Sequence, residues 1–248
     1  MKKIKGVVIH GNALGRTIGF PTANIAYSEN DIEESVFHLN IVLWKKIHQG
    51  MGTYMPQKKV FEAHIFDFDA DIYGQEIEVI LLQKIRDNQK FASLEDLKAQ
   101  IKKDQKEILS HTLNVLSFGS FDVVHPWHFY YLFEARKYGT HLITIIATDA
   151  NIAKIKWKPP KNPLLHRVED VMKLEICDEV VAWSESAPLS WIAQYTPHSI
   201  CLGYDQRGPF VDRLPLEIKN MWLESELIRI PSLQPEIYKS SLLKKTLI

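Results

Sequence analysis

Cysteine is nearly absent from this 248-residue chain: only Cys177 and Cys201 are present. Two cysteines cannot make a disulfide framework, and their scarcity points to a reduced, cytoplasmic setting. Net charge is missing too. Lys plus Arg and Asp plus Glu number 30 each. That balance argues against a protein that coats nucleic acid by bulk charge and leaves room for a local basic pocket. No run approaches the roughly 20 apolar residues of a membrane helix. The apolar part of the opening MKKIKGVVIH is too short for a secretory signal. The expectation is a soluble protein with no membrane and no nucleic-acid partner. Repeats and low-complexity segments are also lacking. What is present is an apolar share of 46%, enough core for one large domain or two small ones.

The hydrophobic pattern changes once along the chain. SVFHLNIVLW (35–44), VFEAHIFDF (60–68) and IEVILLQKI (77–85) alternate as half-buried strands do, with Phe37, Leu39, Ile41 and Leu43 on one face. QGMG at 49–52 and DIYGQ at 71–75 carry turn residues between them. Short strands at this spacing predict an antiparallel barrel. Ser93 and Asp96 then resemble a capping box, followed by Leu94, Leu97, Ile101 and Ile108 at helical spacing. Beyond residue 112 strands and helices alternate. LNVLSF, HLITIIAT, EVVAW, SICLGY and LIRIPS read as strands; 127–139, 163–176 and 188–195 read as helices. Alternation of this kind predicts a doubly wound parallel sheet with helices on both faces. The expected architecture is therefore a two-domain α+β chain. A β-barrel domain with a terminal helix spans 1–110, and an α/β domain spans 111–248.

HGNALGRTIGFPTAN (10–24) concentrates Gly11, Gly15 and Gly19, an arginine and a Pro-Thr-Ala-Asn run. Glycine loops let several backbone N–H groups converge on a phosphate, and Arg16 can add a planar cationic fork. The hydroxyl of Thr22 and the amide oxygen of Asn24 are hard donors suited to Mg²⁺ held mainly through substrate phosphates. No Gly-Lys-Ser/Thr follows, so this is not a Walker loop. Residue types alone leave a plain glycine-rich hairpin equally open. GVVIHGNALGRTIGFPTAN, EAHIFDFDADIYGQEIEV and IRDNQKFASLEDLKAQIKKD closely resemble the riboflavin kinase family over residues 4–109. The resemblance implies a six-stranded Greek-key barrel and ATP-dependent phosphorylation of the ribityl 5′-hydroxyl of riboflavin. It further implies that the Gly15–Gly19 loop with Arg16 covers the phosphates and that Thr22 and Asn24 sit at the Mg²⁺-nucleotide. Glu62 is then the base, and Arg86 and Phe91 border the flavin. The chain departs from the family where Ser35-Val36-Phe37 replaces Gly-Val-Tyr, and in the stretch HQGMGTYMPQKKVFE before and into the catalytic strand.

FGSFDVVHPWH (118–128) follows the first strand of the expected parallel sheet. His125 and His128 are three residues apart at a helix start, where anions already bind well. Two imidazoles there can donate to a phosphate as charge grows on it. Two histidines with no third ligand nearby make a weak zinc site. The stretch resembles the Gly-Thr-Phe-Asp…His-x-Gly-His signature of the nucleotidyltransferase superfamily that includes glycerol-phosphate cytidylyltransferases and archaeal FAD synthetases, with a Rossmann-like sheet. AKIKWKPPKNPLLHR, CLGYDQ and YKSSLLKK fit the same pattern over residues 113–245. That resemblance implies attack of a substrate phosphate on the α-phosphorus of a nucleoside triphosphate. By it, His125 and His128 stabilise the transition state and Gly119 opens the phosphate turn. Lys156 and Arg167, with Lys154 as a second candidate, hold phosphates. Ser240 and Ser241 bind the β- and γ-phosphates, and Asp205 contacts the nucleoside or acceptor. Trp127 stands where the family has glycine, so its indole either stacks on the base or fills its place.

Together the two resemblances imply one pathway, from riboflavin to FMN and on to FAD, with ATP as co-substrate and Mg²⁺ as cofactor. Two alternatives stay open. The second domain can be a cytidylyltransferase acting on a polyol phosphate, or one half can bind flavin or nucleotide without turnover.

Overall fold

The computed structural model describes residues 1–11, 14–29, 31–183 and 189–233. The chain divides into two units, Met1–Thr112 and Leu113–Ile248.

The first unit is a closed antiparallel barrel of six strands in the order β1-β2-β5-β4-β3-β6. Its strands are β1 (Lys3–Ile9), β2 (Ala23–Ala26), β3 (Ser35–Leu43), β4 (Lys46–Met55), β5 (Val60–Ile65) and β6 (Glu76–Asp87). Between β1 and β2 lies one short turn of helix, α1 (Leu14–Thr17). Alternate residues fill the interior, among them Ile4, Ile25, Leu39, Ile41, Phe61 and Val79. The expected face of β3 therefore points inward. Its opposite face is buried as well, with His38 and Asn40 each 1% exposed.

The stretch 49–52 is not a turn. The reversal comes earlier, at Trp44 and Lys45, both at positive φ (50° and 60°), and β4 runs straight through Gly50 and Gly52. These glycines serve close strand approach instead. A Cβ on Gly52 would lie 2.4 Å from the Glu62 carbonyl oxygen, and one on Gly50 would lie 2.3 Å from that of His64.

After β6 comes α2 (Leu94–Ser110), whose Asp96 N–H donates to the Ser93 side chain at 3.1 Å. Ile101 and Ile108 cover Val36, Met51 and Phe66 on the outside of the barrel. Leu94 is 49% exposed and lies off that stripe, contrary to its place in the periodic pattern.

The second unit holds a parallel sheet in the order β11-β10-β7-β8-β9. Its strands are β7 (Asn114–Gly119), β8 (His141–Ile146), β9 (Glu179–Ala182), β10 (Ser199–Leu202) and β11 (Glu226–Arg229). The helices are α3 (Pro126–Arg136), α4 (Asp149–Lys156), α5 (Leu164–Met172), α6 (Ser190–Tyr195) and α7 (Pro209–Asn220). Helices α3 and α5 pack against β7, β8 and β9, while Ile192 of α6 and Leu214 and Ile218 of α7 join the cluster around Leu116, Phe118 and Ile145. Helices α4 and α7 fall in stretches where the sequence pattern predicts no element. The chain winds from β7 outward to β9, then returns to β10 on the other side. The reversal creates a crevice between the carboxyl ends of β7 and β10, where sheets of this kind bind ligands.

Candidate functional sites

In the first unit, register gathers the residues that sequence separates. Asn24 pairs with Glu62, Glu62 with Thr53, Thr53 with Val36 and Val36 with Arg86. Cross-strand partners share a face. Since Ile25, Phe61, Ala63 and Tyr54 point into the core, this row lies on the outer wall. With strands about 4.8 Å apart, Asn24 and Glu62 are immediate neighbours and Arg86 stands about 15 Å from Glu62.

The Glu62 carboxylate is partly exposed and 3.4 Å from Lys58 Nζ, itself 48% exposed. An ion pair this wet is worth at most about 1 kcal/mol, so it leaves the carboxylate available to other partners. On its other flank the Asn88 amide donates to Thr53 Oγ1 at 3.0 Å. Asn88 and Thr53 carry no signal in the sequence and enter the site only through pairing.

The glycine loop closes above this row. Gly15 O accepts from Phe20 N–H at 2.7 Å and Arg16 O from Gly19 N–H at 3.2 Å. Gly19 has φ 86°, and a Cβ on Gly15 would lie 2.3 Å from Phe20 O, so both glycines are needed for the turn. Arg16 is exposed at its rim. His64 Nδ1 donates to Pro21 O at 2.8 Å and pins the end of the loop. Burial pushes the His64 pKa down.

Asn24 is 7% exposed, and its amide nitrogen is 3.5 Å from Thr22 O. A Cβ on Gly11 would come within 2.4 Å of that amide, so Gly11 leaves the space beside Asn24 clear. Among the described residues no group of three or more His, Cys, Asp or Glu side chains forms a metal cage. The Thr22 hydroxyl and the Asn24 amide oxygen are hard donors of the kind that suits a cation held mainly by phosphate oxygens and water.

Arg86 and Phe91 come together, with the guanidinium carbon 5.9 Å from the ring centroid. The Arg86 charge is already committed. Nε donates to both oxygens of Asp104 (3.1 and 3.0 Å) and Nη2 to one of them at 2.8 Å. Asp104 is 1% exposed on α2. Arg86 thus braces β6 to α2 and carries Phe91 beside it.

In the second unit, His125 caps α3 with extended backbone (φ −149°, ψ 170°). Its N–H donates to His128 Nδ1 at 3.3 Å, and the two rings are 4.1 Å apart. Accepting at Nδ1 places the proton of a neutral His128 ring on Nε2. Burial pushes the His125 pKa down. Gly119 ends β7 because the Phe121 ring folds back over it; a Cβ would lie 2.5 Å from that ring. Phe121 in turn packs 5.0 Å from His128.

Lys156 reaches this turn from the last residue of α4, with Nζ 3.0 Å from Ser120 Oγ. Lys154 is exposed on the same helix. Arg167, expected from the sequence to hold phosphate, has its charge engaged within the protein. It is fully buried and donates to the carbonyls of Ser120 (2.5 Å), Ala147 (2.8 Å) and Asn162 (3.1 Å) and to Asp149 Oδ1 (2.6 Å). It is a strut beneath the phosphate turn. Arg167→Met is expected to lower the stability of this unit by about 3 kcal/mol, read as an earlier urea transition.

Across the crevice, Gln206 Nε2 donates to Phe118 O at 2.6 Å, and its Oε1 accepts from Gly203 N–H at 2.8 Å. Gln206 stitches the ends of β7 and β10 together. The motif is visible in the sequence, but this role follows only from the sheet order. Asp205 beside it is exposed. Trp127 is 8% exposed and meets Tyr204 edge-on at 5.1 Å, so its indole fills space above the crevice. Ser240 and Ser241 lie outside the described residues.

Residues 2–112 match the family model for riboflavin kinase, and residues 116–246 match that for cytidylyltransferase-like proteins. A bifunctional riboflavin kinase/FMN adenylyltransferase of Haemophilus influenzae is 44% identical over 110 residues, 41% of this chain and 36% of that protein. The trifunctional protein RibF/MnmA of Mycoplasmoides gallisepticum is 43% identical over 115 residues, 43% of this chain and 18% of that protein. The chain thus spans well under half the length of these relatives. The crystal structure of riboflavin kinase from Trypanosoma brucei is 25% identical with a TM-score of 0.35, covering 44% of this chain and 77% of that one.

Proposed function

The chain belongs to the cytidylyltransferase-like family over residues 116–246, joined to a preceding segment of riboflavin kinase type, and from this we propose that it converts riboflavin to FMN and FMN to FAD. The observation that carries the reading is a division of chemistry between the units. One has the Glu62 carboxylate beside Asn24 and Thr53 on the barrel wall, and the other has an imidazole pair at a helix start.

A hydroxyl nucleophile needs its proton removed; a phosphate nucleophile does not. In the first step the riboflavin 5′-hydroxyl attacks the γ-phosphorus of ATP and gives its proton to Glu62. The bond from that phosphorus to the β,γ-bridging oxygen breaks and ADP leaves. The Gly15–Gly19 loop and Arg16 hold the phosphates, and Phe91, set by the Arg86 brace, borders the flavin. Mg²⁺, when bound, neutralises phosphate charge, and Thr22 and Asn24 are the side chains that would hold it. Most of the acceleration in such transfers comes from alignment and charge stabilisation.

In the second step an FMN phosphate oxygen attacks the α-phosphorus of ATP, and pyrophosphate leaves. The His128 Nε2–H and the N-terminus of α3 face the charge that develops there. Lys156, Lys154, Ser240 and Ser241 complete the phosphate contacts, and Asp205 is the proposed contact to nucleoside or acceptor.

The test is incubation with riboflavin and Mg-ATP, followed by separation of riboflavin, FMN and FAD. Both FMN and FAD should form, and FMN alone as starting material should give FAD. Unchanged riboflavin would overturn the first half of the proposal. FMN that accumulates with ATP, together with transfer from CTP to a polyol phosphate, would replace the second half by the cytidylyltransferase reading.

A further inference from the structure

Trp157 ends α4 in the left-handed conformation (φ 56°, ψ 22°) with its side chain in water, 92% exposed. A non-glycine residue loses about 1 kcal/mol there, and a fully hydrated indole loses the burial that a large aromatic normally gains. Trp157 therefore contributes little to the fold in return for that strain.

Its surroundings hold it firmly. On one side Lys156 is bonded to Ser120. On the other, the Asp122 carboxylate, 6% exposed, accepts the N–H groups of Lys161 (2.6 Å) and Asn162 (3.1 Å). The Asn162 amide donates to Asp122 O at 2.5 Å. Arg167 bridges the carbonyls of Ser120 and Asn162 beneath. Residues 156–162 thus form a clip fastened at both ends to the turn between β7 and α3. Pro159 and Pro160 stiffen the part that projects. Ordering such a clip in advance lowers the entropy lost when a ligand meets it.

Trp222 supplies an internal comparison. It has the same φ of 56° and is 93% exposed. However, it lies between α7 and the start of β11, at the amino ends of the strands, away from His125 and His128. Only Trp157 is tethered to the phosphate turn.

We propose that Trp157 is the stacking platform for the flat heteroaromatic ring of a phosphate-bearing substrate whose phosphate lies at Ser120, His125 and His128. Two rings share that chemistry, the isoalloxazine of FMN and the adenine of ATP. The exposed lysines 154 and 158 on either side favour a ring that carries anionic charge with it. Stacking suits an exposed indole, because each face of the ring gains contact area without needing a hydrogen-bond partner. The proposal rests on the adenylyl-transfer reading for its choice of substrates, while its test reads binding without turnover.

The experiment compares wild-type protein, Trp157→Ala, Trp157→Phe and Trp222→Ala. FMN binding is followed by flavin fluorescence and ATP binding by calorimetry; KM and kcat for FAD formation are measured alongside. Binding to the first unit is common to all four proteins and cancels in the comparison. Trp157→Ala should weaken either FMN or ATP about tenfold or more, raising KM more than it lowers kcat. Phenylalanine should recover most of the loss, and Trp222→Ala should match wild type. A shift confined to FMN assigns the platform to the flavin, and one confined to ATP assigns it to adenine. Folded Trp157→Ala with unchanged affinity for both would overturn the proposal. Ligand binding that depends on Trp157 in a wild-type protein that makes no FAD would sink the adenylyl-transfer reading and leave the platform standing.

Discussion

Glu62→Gln is expected to reduce FMN formation from riboflavin by about 10²- to 10⁴-fold, the range that a positioned general base contributes, while FMN-to-FAD conversion proceeds at the wild-type rate. Glutamine has nearly the same shape, so the pairing of β5 with Asn24 on one side and Thr53 on the other is retained. The lost ion pair to Lys58 is exposed and of small worth. A fall in rate at unchanged melting temperature therefore reports the proton acceptor itself. The measurement is chromatographic separation of flavins, started once from riboflavin and once from FMN. Full kinase activity in this variant would remove Glu62 from the mechanism.

His128→Ala is expected to do the reverse. FAD formation should fall by about 10²- to 10³-fold, the scale of removing one donor from a developing oxyanion, with riboflavin phosphorylation unchanged. Alanine also deletes the acceptor for the His125 N–H, so a second variant is needed to separate capping from catalysis. His128→Asn offers an amide oxygen to that N–H but cannot present a donor where Nε2 stood. Loss of FAD formation in both variants identifies the Nε2 donor. Recovery in the asparagine variant would reduce His128 to a cap. Either substitution stopping both steps in folded protein would end the assignment of separate sites to the two units.

The parts of these sites legible in the sequence are the local ones. His125 and His128 are three residues apart, and helical geometry alone brings them together. Gly19 marks the turn by its left-handed backbone and Gly15 by the close approach of Phe20. The wall row of Asn24, Glu62, Thr53 and Arg86 was invisible as a row. It depends on β2 pairing with β5 and β3 with β6, choices that the closed barrel makes and no single stretch encodes. Gly50 and Gly52 misled for a related reason: glycine marks turns, but it also marks crowding between strands, and only the partner strand tells which. Lys154 and Lys156 sit on α4, which the sequence pattern does not predict because one buried residue, Ile152 at 2% exposure, gives this short helix its dry side. Arg167 stands out in the sequence for its charge, and the structure spends that charge on three carbonyls and Asp149. Sequence shows which groups are present; it does not show which are already taken.

The closed ring of strands has one more consequence. Side chains alternate along β5, so slipping that strand by one position would turn Glu62 inward and present Phe61 to water. An open sheet can relax such an error at its edge. Here β5 is bonded on both sides and the circle has no loose end, so a slip must propagate through all six strands or not occur. The carboxylate is located by the whole circumference, and transplanting the proposed activity to another scaffold would require the hoop as well as the residues upon it.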